Sequence, residues 1–459
     1  MKKFLSVLSF GVLLAACNKS DNTPDPPAPP PTPPVDSTST LDIRGTISTD
    51  QHWTKSRAYR LRGYVYVTNG ATLTIDPGTK IVSNKDSAGV LVIYSSAKIN
   101  AAGTAAEPIV FTSAEATPAP GDLGGVIIAG LATRNGNHSV IEGGVDAQFA
   151  AFGGTNDADN SGTLKYVRIE YAGKAVNPGD EVNGLSLYAV GSGTTIDYVQ
   201  IVRGLDDAFE FFGGTVNCKH LFAYKCADDD FDMDDGYRGK IQFAISIKDP
   251  GFTDPKGTTG DLSNNFEVDN VNPSNGFTLN RAPITFPVLS NFTAVGPNGA
   301  AGTSSDYGYG MRWRRGAKFI LANSIVIGGQ KAGLDVEQDS TASYYATGTS
   351  KFYNSLLQSY ASPFRVSGTG TFLDSTALAT LTLTANGSQL FTNAADIQLT
   401  DAFSATAPNL MPQTSSPALS TMATFDAGTL SDAFFEKVTF IGALNTGSDW
   451  TAGWTVVNK

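Results

Sequence analysis

The stretch GLDDAFEFFGG, Gly204–Gly214, is followed 22 residues on by CADDDFDMDDG, Cys226–Gly236. Without a gap, Asp206 falls on Asp228, Asp207 on Asp229, Phe209 on Phe231, Glu210 on Asp232 and Gly214 on Gly236. Side chains alternate across a strand. Phe209 and Phe211 therefore face one side, as Phe231 and Met233 do one repeat later. Glu210, Asp232 and Asp234 face the other. A repeat of this length without helical periodicity is one turn of a solenoid.

The pattern extends both ways. Short alternating runs punctuated by Gly and Asn recur at the same phase, among them LKYVRIEYAG, NGLSLYAVGSG, IDYVQIVRG and KFILANSIVIGG. No hairpin dipeptides tie the runs in pairs, and the signatures of propeller blades are absent. Charged residues are only 16% of the chain and glycines number 48, a composition that suits closely spaced turns. The expectation is an all-β parallel β-helix, one large domain over residues 41–440. Residues 441–459, with DWTAGWT, are expected to close its C-terminal end with Trp450 and Trp454, because an open solenoid end exposes strand edges and core.

The N-terminus carries a different signal. MKKFLSVLSFGVLLAAC has a basic start, an apolar run too short to span a membrane, and small residues before Cys17. It reads as a signal peptide over residues 1–16. LAAC resembles a bacterial lipobox, which implies cleavage before Cys17, acylation of its thiol and a membrane partner through that lipid. Asn18 follows the cysteine, so the expected address is the outer membrane, on its periplasmic or outer face. Residues 17–40 hold eight prolines between Pro24 and Pro34, a stiff solvated spacer. The net charge of −11 argues against nucleic acid as a partner. Cations and glycans, or another surface protein, remain open. Cys218 is expected in the core as a small apolar residue. The three histidines, His52, His138 and His220, are far apart, too few for a His-rich zinc site or a Ser-His-Asp triad.

GATLTIDPGTKI, SSAKINAAGTAAEPIVFTS, SGTLKYVRIEYAG, DDAFEFFGGTVNCKHLFAY and DWTAGWT together resemble a family of Bacteroidota lipoproteins. That resemblance implies a right-handed β-helix of the pectin-lyase-like type from Leu41 onward. It implies an address and no activity.

Two outward columns follow from the alternation. One runs Ser186, Glu210, Asp232, Glu267, Arg312, Asp335; the other Tyr188, Phe212, Asp234, Asp269, Arg314, Glu337. Neighbouring rungs lie about 4.8 Å apart, and two carboxylates at that distance repel by roughly 3 kcal/mol at an effective dielectric near 20. Arg312 and Arg314 offset the acids on either side of them. They do not reach Glu210, Asp232 or Asp234. A bound cation, raised carboxylate pKa values and splaying into water each answer the excess. The cation reading predicts Ca2+ on Glu210, Asp232, Asp234, Glu267 and Asp269. Asp206, Asp207, Asp228 and Asp229 sit where each rung bends and read first as turn residues.

Two function classes stand side by side. The first is a surface lipoprotein presenting an acidic solenoid to a glycan or a protein, with Tyr166, Tyr198 and His220 as an outward aromatic ladder for sugar rings. The ladder is equally expected to lie buried under the insertion 249–265. The second is a polysaccharide lyase or glycoside hydrolase. Pectate lyases are similar in kit, with carboxylates for Ca2+ and an arginine base, a role open to Arg312 or Arg314. Asp207 with Asp228 or Asp229 resembles the polygalacturonase arrangement, but no Gly-His-Gly follows. NDADNSG, Asn156–Gly162, has the first half of an EF-hand loop, yet Arg168 stands where the closing Glu belongs.

Overall fold

The computed structural model describes residues 39–177, 180–254, 262–337, 339–368, 371–419, 423–425 and 428–459. The expected signal peptide, Cys17 and nearly all of the expected spacer lie outside them. The strands pair in parallel, rung on rung, and form the expected β-helix. Among the described residues no helix is long and apolar enough to cross a membrane.

Each rung has three sides. In one coil Phe209–Phe212 lies in a first sheet, and Asn217–Tyr224 then supplies a second and a third. The next coil repeats this with Phe231–Asp234 and Lys240–Ile247. The bend inside the longer strand is a single left-handed residue. Tyr166, Tyr198, His220, Phe243, Asn291, Asn323 and Asn354 occupy it in successive coils, with φ between 45° and 62°. This conformation costs an L-residue about 1–2 kcal/mol. Ring stacking opposes that cost at the aromatic corners: Tyr166 on Tyr198 at 4.3 Å, Tyr198 on His220 at 4.0 Å and His220 on Phe243 at 5.2 Å between centroids. Later coils use asparagine, which tolerates the left-handed region.

The interior is the face read from the alternation. Leu185, Leu187, Phe209, Phe211, Phe231, Met233, Phe266, Val268, Met311, Trp313, Leu334 and Val336 all join one continuous core. Phe209, Phe231 and Phe266 stack at 5.4 and 5.5 Å up its axis. Cys218 and Cys226 are free thiols in the same core. Gly162 shows how tightly rungs meet: its φ is +110°, and a Cβ there would lie 1.9 Å from the Ile99 carbonyl oxygen.

The ending differs from expectation. The core at the C-terminal end is closed by Leu373 and by Leu378 of the helix Ser375–Thr380. The chain then turns back along the flank. Gln242 exchanges two hydrogen bonds with the Glu436 backbone at 2.8 Å each. Gln200 does the same with Val456, at 2.8 and 2.9 Å, and Lys459 pairs with Glu170 at 2.5 Å. Trp454 is fully buried, edge-on to Tyr166 and Tyr198. So 441–459 covers a side of the solenoid and not its end. The third sheet explains this. Its outward residues Val202, Phe222, Ile245, Ile247, Val295 and Ile327 are themselves apolar and pack with Ile441, Ala443 and Leu444. Burying this second face contributes more than a lid over one rung.

Candidate metal centre

The first sheet carries the acids in register. Ser186 pairs with Glu210, Glu210 with Asp232, Asp232 with Glu267, Glu267 with Arg312 and Arg312 with Asp335. In the second column Tyr188 pairs with Phe212 and Phe212 with Asp234. The insertions between coils leave this register intact because they leave and return at corners.

Outward here does not mean solvated. Loop 131–160 and loop 270–286 roof the columns. Asn135 donates to the Asn270 carbonyl at 2.8 Å, Arg281 donates to the Asn135 carbonyl, and Phe152 meets Tyr188 edge-on at 4.9 Å. Asp234, Glu267, Asp269 and Asp335 are buried. Asp157 and Asp159, the EF-hand-like pair, anchor the roof. Asp157 accepts from the Thr133 backbone at 2.9 Å and from Arg238 at 3.1 Å, and Asp159 accepts from Leu131 at 3.2 Å.

The C-terminal half of the columns is neutralised as the pattern predicts. Arg312 bridges Glu267 at 2.9 Å and Glu337 at 3.2 Å. Arg314 holds Asp269 at 2.8 Å and also Glu267; Arg315 reaches Asp269 at 2.6 Å. Arg312 and Arg314 are thus each engaged by two carboxylates. Arginines held this way suit the ion-pair ladder expected of the pattern.

The N-terminal half is different. Burial pushes Glu210 well above the usual carboxylate range, and Asp207 and Asp232 push it further. Burial does the same to Asp232, followed by Glu267 and Asp234, and to Asp234, followed by Asp235 and Asp269. Oδ1 of Asp232 and Oδ1 of Asp234 are sealed from solvent with no hydrogen-bond partner. Asp207 accepts from the Asp229 backbone at 2.8 Å, and Asp229 from the Asn264 backbone at 2.5 Å. These bonds cross from rung to rung instead of closing a turn on the residue's own backbone. They also bring oxygens to the column. Asp207, Glu210 and Asp232 have ligand atoms mutually within 4.8 Å, as do Asp229, Asp232 and Glu267. Asp232 belongs to both groups. An all-oxygen, carboxylate-rich set with an unpartnered sealed oxygen fits a hard cation such as Ca2+. The geometry brings Asp207 and Asp229 into the set, whereas Asp234 and Asp269 lean toward other partners. Asp228 joins Asp206 and Asp207 at the adjoining turn.

Sequence reasoning missed the roof's own contribution. His138 places Nδ1 at 3.0 Å from Asp235 and 3.4 Å from Asp234. Burial lowers the His138 pKa, but the Asp235 hydrogen bond and charge outweigh it and the net direction is up. Asn183 donates to Glu210. The aromatic ladder also lands differently. Tyr166, Tyr198 and His220 stack as a half-buried column beneath Trp450 and Trp454, and Asp197 holds His220 at 2.7 Å. They are no open platform for sugar rings. The described start of the insertion 249–265 is held by Arg203 and Tyr307.

No curated protein and no solved structure matches the chain. A family model described as pectate-lyase like beta helix domain matches residues 45–455. The three-sided parallel coil, its stacked aromatic core and the acid columns on one sheet are all inside that span, and the chain belongs to the pectate-lyase like beta helix family.

Proposed function

We propose that the protein is a calcium-dependent, carbohydrate-directed binding β-helix, carried on the outer membrane by a lipid on Cys17 and held off it by the Pro-rich spacer. The family is consistent with a carbohydrate-related role. The observation that carries the cation is Asp232, whose sealed Oδ1 lacks a partner between Glu210 and Glu267. A divalent ion shared by Asp207, Glu210, Asp229, Asp232 and Glu267 relieves the repulsion of rungs that must stay about 4.8 Å apart. It stiffens the first sheet beneath the roof that faces a ligand.

The lyase alternative shares the acids, and the ion pairs of Arg312 and Arg314 with Glu267, Asp269 and Glu337 favour the binding reading over it. Calcium titration followed by thermal melting tests the binding reading. Calcium at 100 times Kd should raise stability by about 2.7 kcal/mol. Asp232→Asn should be more stable than the native chain in chelator and less stable in calcium. A variant more stable at every calcium level would show plain repulsion and end the cation reading. A glycan array on calcium-loaded protein tests the ligand. Glycan cleavage by the native chain that disappears in folded Asp232→Asn would establish the enzyme instead.

A further inference from the structure

The roof over the acid columns brings a nitrogen to a place the all-oxygen set does not use. His138 lies in loop 131–160, and 97 residues separate it from Asp235. Asp235 occupies a coil corner with φ +55° and is fully buried. The His138 backbone N–H donates to both Asp235 oxygens, at 3.2 and 3.3 Å, which fixes where the ring begins. The ring then sets Nδ1 at 3.0 Å from Asp235 Oδ1 and 3.4 Å from Asp234 Oδ2. Ligand atoms of the three residues lie mutually within 4.8 Å.

A second observation is independent of this clustering. Asp234 is only 8% exposed, and its Oδ1 is sealed with no hydrogen-bond partner. Oδ2, the oxygen that faces the His138 ring, has Asn137 at 3.4 Å, so a metal taking both oxygens of Asp234 would satisfy the carboxylate. A buried carboxylate oxygen with no donor is costly unless something else satisfies it.

We propose that His138, Asp234 and Asp235 form a second cation site, selective for a borderline transition metal of the Zn2+ class, which pins loop 131–160 to the solenoid. Zinc bonds of about 2.0–2.2 Å place tetrahedral ligand atoms about 3.3–3.6 Å apart. The 3.4 Å separation from Asp234 falls in that range, and the 3.0 Å separation from Asp235 needs to open by a few tenths of an ångström. Imidazole nitrogen suits zinc, copper, iron or nickel, whereas Ca2+ takes oxygen alone. Binding displaces the Nδ1 proton, and the metal then replaces that hydrogen bond to Asp235. The roof closing the acid columns would thereby answer to a different metal from the one in the columns. This site does not depend on calcium in the column, since Asp207, Glu210, Asp229, Asp232 and Glu267 are not among its ligands.

The test uses the full chain, stripped with chelator and held in excess calcium so that the oxygen set is filled. ZnCl2 is titrated by calorimetry and CoCl2 by visible absorption. The expected result is one Zn2+ or Co2+ per chain, with cobalt d–d bands intense enough to mark a four- or five-coordinate site. His138→Gln retains a side chain able to hydrogen-bond Asp235. It should lose the cobalt bands and weaken zinc binding by at least about tenfold, while circular dichroism stays native. Asp232→Asn removes a neighbouring charge but no zinc ligand, so it should keep the cobalt bands and the one-to-one zinc stoichiometry. Absence of zinc and cobalt binding by the native chain would overturn the site. So would a His138→Gln protein that binds zinc as tightly as the native one, or zinc binding abolished by Asp232→Asn and retained by His138→Gln.

Discussion

Asp232 and Asp335 stand in one column, and their neighbours make them opposites. Asp335 is fully buried, yet Arg365 lies 2.7 Å from it. Burial and then Glu337 push its pKa up to about 8, with Arg365 pulling the other way. A folded pKa above the unfolded one means that the folded chain keeps a proton the unfolded chain releases. Stability from this group is whole below the unfolded value near about 3.9 and declines as pH rises toward about 8. Asp335→Asn is neutral throughout and still offers Arg365 an oxygen. Its melting temperature should exceed the native value by a margin that grows from about pH 4 to about pH 8 and is negligible near about pH 4. Scanning calorimetry across that range checks it, and a pH-independent margin would show that Asp335 is ionised in the folded chain. Asp232 has no arginine of its own, which is why a cation is invoked there and not at Asp335.

Among the elements, the returning C-terminal segment does most to finish the solenoid. The side-chain amides Gln200, Gln242, Asn291 and Asn323 clip it along the stack, the last two through Phe440 and Thr424 at 3.0 and 3.1 Å. Trp454 lies over the stacked tyrosine corners, and its indole N–H donates to the Trp450 carbonyl at 2.7 Å. Removing a buried indole costs about 3–5 kcal/mol in a packed core. Trp454→Ala should lose stability of that order in urea titration and expose Tyr166 and Tyr198 to solvent. A loss below about 1 kcal/mol, within the range of surface substitutions, would mean that the third sheet does not need this cover.

For the whole molecule, the proposed address rests on the N-terminus. Cys17 follows an apolar run of signal-peptide length, and eight prolines separate it from the first strand at Thr40. The native chain is expected to partition with membranes and to carry acyl mass on its first peptide. Cys17→Ala should leave the membrane fraction. A variant that stays there with the same lipid mass would refute lipidation at this residue. One acyl chain alone anchors weakly, so stable attachment calls for more than one.

Periodicity alone determined the solenoid, its inward face and the register of its acids. Phe209, Phe231 and Phe266 had to stack, and Glu210, Asp232 and Glu267 had to align, because a strand's side chains alternate and rungs repeat at one phase. The arginine ladder of Arg312 and Arg314 followed from the same count. What lies over the outward faces was not legible, since a strand pattern records which side a residue takes and not what later segment arrives there. The roof that seals Asp234 comes from residues 131–160, and the cover on Tyr198 from Trp450 and Trp454, 252 residues or more along the chain. Only tertiary contact decided that the acids are buried and the aromatic ladder closed. It also decided that the lone histidine of a loop meets two aspartates at a corner. Burial turns a tolerable surface repulsion into unsatisfied oxygens, and so into a candidate metal centre.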